Sequence, residues 1–432
     1  MRLLHTADWH LGHTLRDWAR DHEHDLFLSW LLDTLEAEQV DALLVAGDIF
    51  DTTNPSAQAQ LQWYRFLAQA RRRLPDLQVV VIGGNHDAAG RLEAPNPILE
   101  ALAIDVVGAL PRGPVATPAD RLLVPLRRRG EVRAWAAAVP FLRPADLPPV
   151  REVRAATEGA GPGGAEGGGA SEGPAGDPLI EGVRQVYGGV INAIRARRGD
   201  DHAIVALGHA YFVGGALSEM SERKILGGNQ HALPSDLFGP DVAYAALGHL
   251  HLAQPVGGRE HVRYSGSPLP LSVAEATYPH QVVLVDLEGQ GLRDVRSLRT
   301  PRAVEVLRFP AKGALPLDEL LEALRKLDAP ASVRPELWPF LDVAVEVTKP
   351  EPALVRRIED ALAGKGVRLV RIARQGRTVA RSLGEALGVT SLRDLTPEQV
   401  FVELHQREHT TRPEGELLAA FAELVELAHR KR

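Results

Sequence analysis

Cysteine is absent from the 432 residues, which excludes disulfides and thiolate metal sites; any metal must be held by His, Asp, Glu or Asn. That leaves borderline or hard cations. No apolar run reaches the ~18 residues of a membrane span, and Met1-Arg2-Leu3-Leu4-His5 passes straight into a strand pattern. Neither a transmembrane segment nor a signal peptide is therefore expected, and the chain reads as cytoplasmic with no membrane partner. An excess of positive charge is missing too: the net charge of -7 argues against non-specific coating of nucleic acid, although an average hides local patches. What is present is ample core material, 45% hydrophobic residues, enough for more than one domain.

The apolar run 78–82 closes on Gly83-Gly84-Asn85-His86-Asp87, the pattern of a buried strand emptying into a tight turn. Four other strand patterns end the same way. Residues 2–7 lead into Asp8-Trp9-His10-Leu11-Gly12, and 41–46 into Gly47-Asp48-Ile49-Phe50-Asp51. Residues 203–207 end in Gly208-His209, and 242–247 in Gly248-His249-Leu250-His251. Asp8 and His10, two apart at a strand end, are expected to point the same way because side chains alternate along an extended chain. Helices are expected over 21–38, from Asn54 (N-cap) and Pro55 up to Arg71-Arg72-Arg73, and over 178–198. This rhythm predicts an α/β fold, parallel strands covered by helices, whose carboxyl-end rim gathers the polar residues.

Between 92 and 149 the signals weaken. A helix near 98–102 and strands at 121–126 and 133–139 are expected, the second edge-like because of its prolines, with Arg127-Arg128-Arg129-Gly130 as a hairpin tip. Residues 157–177 hold nine glycines and read as a flexible insertion. After a closing strand at 280–286, a β-α-β-α-β pattern over 303–373 predicts a small second domain.

Asp8-x-His10, Gly47-Asp48, Gly84-Asn85-His86-Asp87, Gly208-His209 and Gly248-His249-x-His251 reproduce, in order, the signature blocks of the calcineurin-like metallophosphoesterases, which this chain resembles. The stretches 5–12, 46–51 and Tyr264-Ser265-Gly266-Ser267-Pro268-Leu269-Pro270-Leu271-Ser272 are similar to the SbcD-type nucleases within that superfamily. A two-metal phosphoesterase needs cations about 3.5–4 Å apart, hence a bridging ligand, and Asp48 is the candidate. The resemblance implies Asp8, His10, Asp48 and His251 on the first ion and Asp48, Asn85, His209 and His249 on the second. Such donors suit Mn²⁺ first, with Fe²⁺, Zn²⁺ or Mg²⁺ as alternatives. His86 is outside this set and, oriented by Asp87, suits an acid facing the scissile phosphate. His5 is expected within its strand, His22, His24, His202, His231, His405, His409 and His429 at the surface, and His13 open to substrate.

The resemblance divides the chain into a nuclease domain over 1–299, a DNA-gripping α+β cap over 300–381 and C-terminal helices over 382–432. From 352 to 381 the chain carries eight Arg or Lys against two acids, a +6 window in a -7 chain. Arg356, Arg357, Lys365, Arg368, Arg371 and Arg374 are the candidate DNA contacts, a solvated charged face being the alternative. Leu417, Leu418, Phe421, Leu424 and Val425 form an apolar helical stripe that covers its own domain or docks on another chain. By resemblance that chain is an SbcC-type P-loop ATPase, in a heterotetramer containing a homodimer. The expected activity is exonucleolytic on duplex DNA ends and endonucleolytic on single strands or hairpins. A small-molecule or cyclic-nucleotide phosphoesterase and a non-catalytic scaffold are the alternatives.

Overall fold

In the computed structural model the residues described are 1–111, 119–147, 177–212, 232–332, 334–347 and 351–375, with isolated C-terminal positions between 401 and 421. The expected insertion at 157–177 lies outside them except for Asp177, whose carboxylate accepts from the Leu179 N–H and caps the helix Pro178–Arg195.

The strands fall into two six-stranded sheets, a partition that their rhythm along the chain does not reveal. In the first, Arg2–Thr6, Ala42–Ala46, Gln78–Ile82 and Ile104–Val107 lie side by side and parallel, and Gln281–Glu288 and Gly291–Arg299 extend it antiparallel beyond Arg2–Thr6. In the second, Glu131–Ala138, Ala203–His209, Val242–Gly248 and Arg259–Tyr264 run parallel between antiparallel edges Leu123–Arg128 and Gln254–Val256. The strand with Pro125 is thus the edge and 131–138 is interior, the reverse of the expectation: Pro125 lacks the N–H that a second neighbour would need. Arg129 and Gly130, both at positive φ, turn the hairpin.

The two sheets pack face to face. Leu3, Ala7, Ala42, Leu44 and Ala46 meet Ala136, Ala206, Ala245, Leu247 and their neighbours in one buried cluster. Small alanine side chains recur among its leucines and valines. A buried polar side chain reaches across it: His5 Nδ1 is 2.9 Å from the Tyr244 hydroxyl and Nε2 is 3.2 Å from the Leu247 carbonyl. The opposite face of the first sheet is covered by helices Asp21–Ala37 and Ala57–Arg73. The second of these begins later than Asn54-Pro55 suggested, because the Ser56 hydroxyl accepts from the Ala59 N–H and takes the cap. Trp9, just beyond the first strand, packs edge-to-face on Phe27, Trp63 and Phe66 at 5.3–5.6 Å, tying the loop to both helices.

The second domain is a parallel sheet centred on Phe340–Glu346, flanked by Val306–Phe309 and Arg368–Gln375. Helices Leu317–Arg325 and Leu354–Leu362 cover one face through Leu320, Leu324, Leu354 and Ile358. Phe340 and Val370 face the first domain, meeting Leu15 and the Arg20 guanidinium, 5.4 Å above the Phe340 ring.

Trp63 is fully buried within the aromatic cluster, so Trp63→Ala leaves a cavity and is expected to lower unfolding stability by about 3–5 kcal/mol, measured by urea denaturation. A loss under about 1 kcal/mol would show that the helices do not depend on the cluster.

Candidate metal centre

Both sheets deliver their strand ends to one rim. Asp8, His10, Asp48 and Asn85 arrive from the first, His209, His249 and His251 from the second, and each is where the sequence patterns expect it. The alternation argument for Asp8 and His10 is overturned. The strand ends at Thr6, and Asp8 and His10 have φ of 54° and 47°. Two left-handed turns, rather than extended chain, bring their side chains together. Asp48 (φ 51°) and His249 (φ 101°) are also at positive φ, a conformation uncommon outside glycine that concentrates at functional sites.

Asp48 is the centre of the cluster. Its Oδ2 lies 3.5 Å from His10 Nε2 and 3.4 Å from His209 Nε2. On the first side stand Asp8, His10 and His251, whose ligand atoms lie within 4.8 Å of one another; Asp8, Asp48 and His209 do likewise on the second. Asn85 Oδ1 is 3.0 Å from both His209 Nε2 and His249 Nδ1. The His10 Nε2 atom is buried without a hydrogen-bond partner, a cost that a cation would relieve. Together with mixed imidazole, carboxylate and amide donors, this fits divalent metal ions.

The electrostatics agree. Burial pushes the His249 imidazole down to about 3 and lowers His10 as well, leaving lone pairs available to a cation. Burial also opposes charge on His209, but Asp48 and Asp8 outweigh it and raise that imidazole to about 9. Burial penalises the Asp48 carboxylate, yet His209, His10 and His86 hold it below the usual range.

His86 sits beside this cluster, its ring 4.8 Å from that of His10. Its Nδ1 donates to the Asp51 carbonyl at 2.7 Å, and with His10 and Asp48 it forms a third group whose ligand atoms lie within 4.8 Å of one another. Asp87 does not orient it. That carboxylate accepts from the backbone N–H groups of Ile49, Phe50 and Gly84 at 2.9–3.2 Å, lacing the Asp48 and Asn85 loops together; burial and Asp48 raise it to about 6. The correction has a simple cause, since three nearby N–H groups offer better partners than the neighbouring ring. His13 is likewise a strut, with its nitrogens at 3.0 Å from Asp51 Oδ1 and 2.9 Å from the Leu271 carbonyl. His24 is fully buried against the Trp9 carbonyl rather than at the surface.

Two carboxylates behind the ligands are not apparent from sequence. Asp51 meets His10 Nδ1 and Glu275 meets His251 Nδ1, each at 3.2 Å. Asp51 ends a recognised block, whereas Ser272-x-x-Glu275 reads only as a capping box. In the 264–272 stretch, Gly266 (φ 72°) lets the loop pass beneath His251, whose carbonyl accepts from the Ser267 N–H at 3.1 Å.

The cap corrects the charge count. Arg368 is 4% exposed, stacks 3.8 Å above Phe340 and donates to the Trp338 carbonyl, so its guanidinium is engaged within the fold rather than presented at the surface. Arg371 is paired through both nitrogens with Asp342 at 2.7 Å, Lys365 donates to the Leu327 carbonyl, and Arg357 pairs with Asp318 and Glu351. A window tallied along the chain misses partners that lie outside it. Arg356 and Arg374 are exposed. In the C-terminal stripe, Leu417 is exposed and Phe421 stacks on Phe401 at 4.2 Å, while Leu418 is half-buried and Leu424 and Val425 lie outside the described residues.

Paired sheets whose rims share one carboxylate define the class as calcineurin-like metallophosphoesterases. A family profile of that description, calcineurin-like phosphoesterase, matches residues 1–129, and another, described as the type 5 capsule protein repressor C-terminal domain, matches 300–409. A relative from Rhodobacter capsulatus, named as the D subunit of the nuclease SbcCD, is 43% identical over 406 residues, 93% of each chain. Relatives of the same name from Escherichia coli K12 and Bacillus subtilis are 33% and 35% identical, over 93% and 66% of this chain and 92% and 66% of their own. The chain belongs to the SbcD nuclease family and is a metal-dependent phosphodiester hydrolase. Among the described residues no helix is long and apolar enough to cross a membrane.

A Cβ built on Gly84 would stand 2.1 Å from Asp48 Oδ1 and 2.4 Å from the Asp48 backbone nitrogen, whereas one on Gly90 meets nothing. Gly84→Ala is therefore expected to displace Asp48 and reduce bound metal below one ion per chain, by mass spectrometry, with Gly90→Ala unaffected. Full metal occupancy in Gly84→Ala would show that Asp48 is not held as described.

Proposed function

We propose that this nuclease cleaves DNA with two divalent cations, Mn²⁺ best suited, acting exonucleolytically on duplex ends and endonucleolytically on single strands or hairpins. The observation that carries the two-cation reading is the Asp48 Oδ2 atom, equidistant to within 0.1 Å from imidazoles of both lobes. Asp8, His10, Asp48 and His251 would hold one cation, and Asp48, Asn85, His209 and His249 the other. When bound, such a pair polarises the scissile phosphate and lowers the pKa of the attacking water.

The chain's own residues supply the rest. His86, with Nδ1–H pinned on the Asp51 carbonyl, presents Nε2 to the phosphate; in its protonated form it stabilises the developing charge and gives its proton to the departing oxygen. Water attacks phosphorus and gives up a proton to solvent, the P–O ester bond breaks, an alcohol and a phosphate monoester leave, and His86 regains its proton from solvent. Asp87 keeps the Asn85-His86 turn fixed against the Asp48 loop, so that the acid and the shared ligand move as one. Arg356 and Arg374, exposed on the cap, are the DNA contacts this reading retains. The relatives' shared name, which makes each of them one component of SbcCD, supports an SbcC-type P-loop ATPase as partner. The proposed assembly is a heterotetramer built on a homodimer. The stripe of Leu417, Leu418, Phe421, Leu424 and Val425 is the proposed docking surface, and the chain's proposed compartment is the cytoplasm.

Asn85→Ala and His86→Ala separate ligand from acid at adjacent positions. Asn85→Ala is expected to lower metal content, while His86→Ala keeps it and slows single-turnover DNA cleavage by roughly 10²- to 10⁴-fold. A lost metal ion in His86→Ala, or cleavage within a few-fold of the parent, overturns the acid role. Reversing both exposed cap arginines, Arg356→Glu with Arg374→Glu, should weaken DNA binding and flatten its dependence on salt by about two phosphate contacts. Arg368→Ala should instead lower the thermal stability of the cap and leave the salt slope alone. Fluorescence anisotropy across a salt series, with melting curves, distinguishes the two outcomes.

A further inference from the structure

The two lobes of the metal centre differ in what stands behind them. In the first, the imidazoles of His10 and His251 each turn their Nδ1 atom to a carboxylate, Asp51 Oδ1 and Glu275 Oε1, at 3.2 Å. Glu275 is fully buried and is itself anchored by the Leu271 N–H at 2.9 Å and the Ser272 hydroxyl at 3.2 Å. In the second, His209 Nδ1 meets the neutral Ala46 carbonyl at 2.8 Å, and Asn85 contributes an uncharged amide. Asp8 groups with His10 and His251 on one side and with Asp48 and His209 on the other, so the lobes differ in the two carboxylates, Asp51 and Glu275, that stand behind the first. An imidazole whose N–H is held by a carboxylate is a more basic and better-aimed donor than one held by a carbonyl. Buried negative charge also attracts a dication more strongly than exposed charge does.

We propose that Asp51 and Glu275 are positioning residues that make the Asp8–His10–His251 lobe the tighter of the two cation sites, so that the pair fills in order with this lobe first. The proposal rests on the two-cation reading above. Neither carboxylate is a ligand in that scheme. Each acts through the ring it orients, and removing such a partner typically costs about 10- to 100-fold in metal affinity.

The test is a Mn²⁺ titration of the full chain, stripped of metal, with the free ion counted by electron paramagnetic resonance and no substrate present. Two unequal steps are expected for the parent chain. Asn85→Ala should keep the tighter step and lose the weaker. Asp51→Asn and Glu275→Gln should each weaken the tighter step roughly 10- to 100-fold and leave the weaker within about threefold, a split that general destabilisation would not produce. Glu275→Gln turns an amide toward an N–H donor and can fail to fold; Asp51→Asn keeps an acceptor oxygen at a partly exposed position and then decides alone. Loss of the tighter step in Asn85→Ala, or a tighter step unchanged within about threefold in Asp51→Asn, overturns the proposal. A parent chain that binds a single ion overturns instead the two-cation reading beneath it.

Discussion

Everything at this site depends on how closely two sheets can approach. Asp48 serves two lobes because strand ends from both sheets come within reach of one carboxylate, and bulky interface residues would hold the rims apart. Alanines such as Ala7, Ala42, Ala46, Ala136, Ala206 and Ala245 recur in the interface among leucines and valines, and glycine takes over where the rims meet. A Cβ on Gly47 would stand 2.3 Å from His209 Nδ1, and one on Gly248 would stand 2.0 Å from the Ala46 carbonyl. Both glycines are required by contact, and Gly47, at φ 91°, by turn geometry as well. The His5–Tyr244 pair crosses the same interface beneath the ligands, adding direction to an apolar contact that has little of its own.

Close approach is combined with strained backbone. Four ligand-bearing positions, Asp8, His10, Asp48 and His249, adopt positive φ, at a cost of order 1–3 kcal/mol each where it is real strain. The surroundings hold them there. The aromatic cluster on Trp9 grips the first loop from below, and the Asp8 carboxylate accepts from the His249 N–H at 2.9 Å, locking first and second sheets together. Asp87, with three backbone donors, does the same for the Asp48 and Asn85 turns. Packed rigid surroundings of this kind hold the ligands in place before any ion arrives, which reduces the reorganisation that binding would otherwise require.

The cap is fastened to the same loops. Arg20 is buried in a pair with Glu23, donates to the Pro270 carbonyl and lies over Phe340 of the cap. Pro270 precedes Leu271, whose N–H is held by Glu275 and whose carbonyl meets His13. Contacts therefore run without a break from the cap through the 264–275 loop to His251 and His10. Contacts of this kind link the second domain to the loops that carry His251 and His10.

The sequence by itself determined the class and the polar residues that gather at the rim. With no cysteine available, only a few residue types can bind a cation, and strand ends followed by Asp, Asn-His, Gly-His and Gly-His-x-His mark positions that local pattern alone can locate. Local signals also placed most of the strands, the two helices on the first sheet and the β-α-β-α-β layout of the second domain. Other features depended on contacts between residues far apart in the chain. The division into two sheets, the interior place of 131–138, the buried stack of Arg368 on Phe340 and the pairing of Arg371 with Asp342 all follow from which surfaces meet. So does the difference between Asp87 and Glu275. Asp87, next to His86 in sequence, bonds backbone in its own turn and in the Asp48 loop, while Glu275, 24 positions from His251, is the carboxylate that holds that ring. A hydrogen bond is decided by distance and direction in space, and only the tertiary structure supplies those.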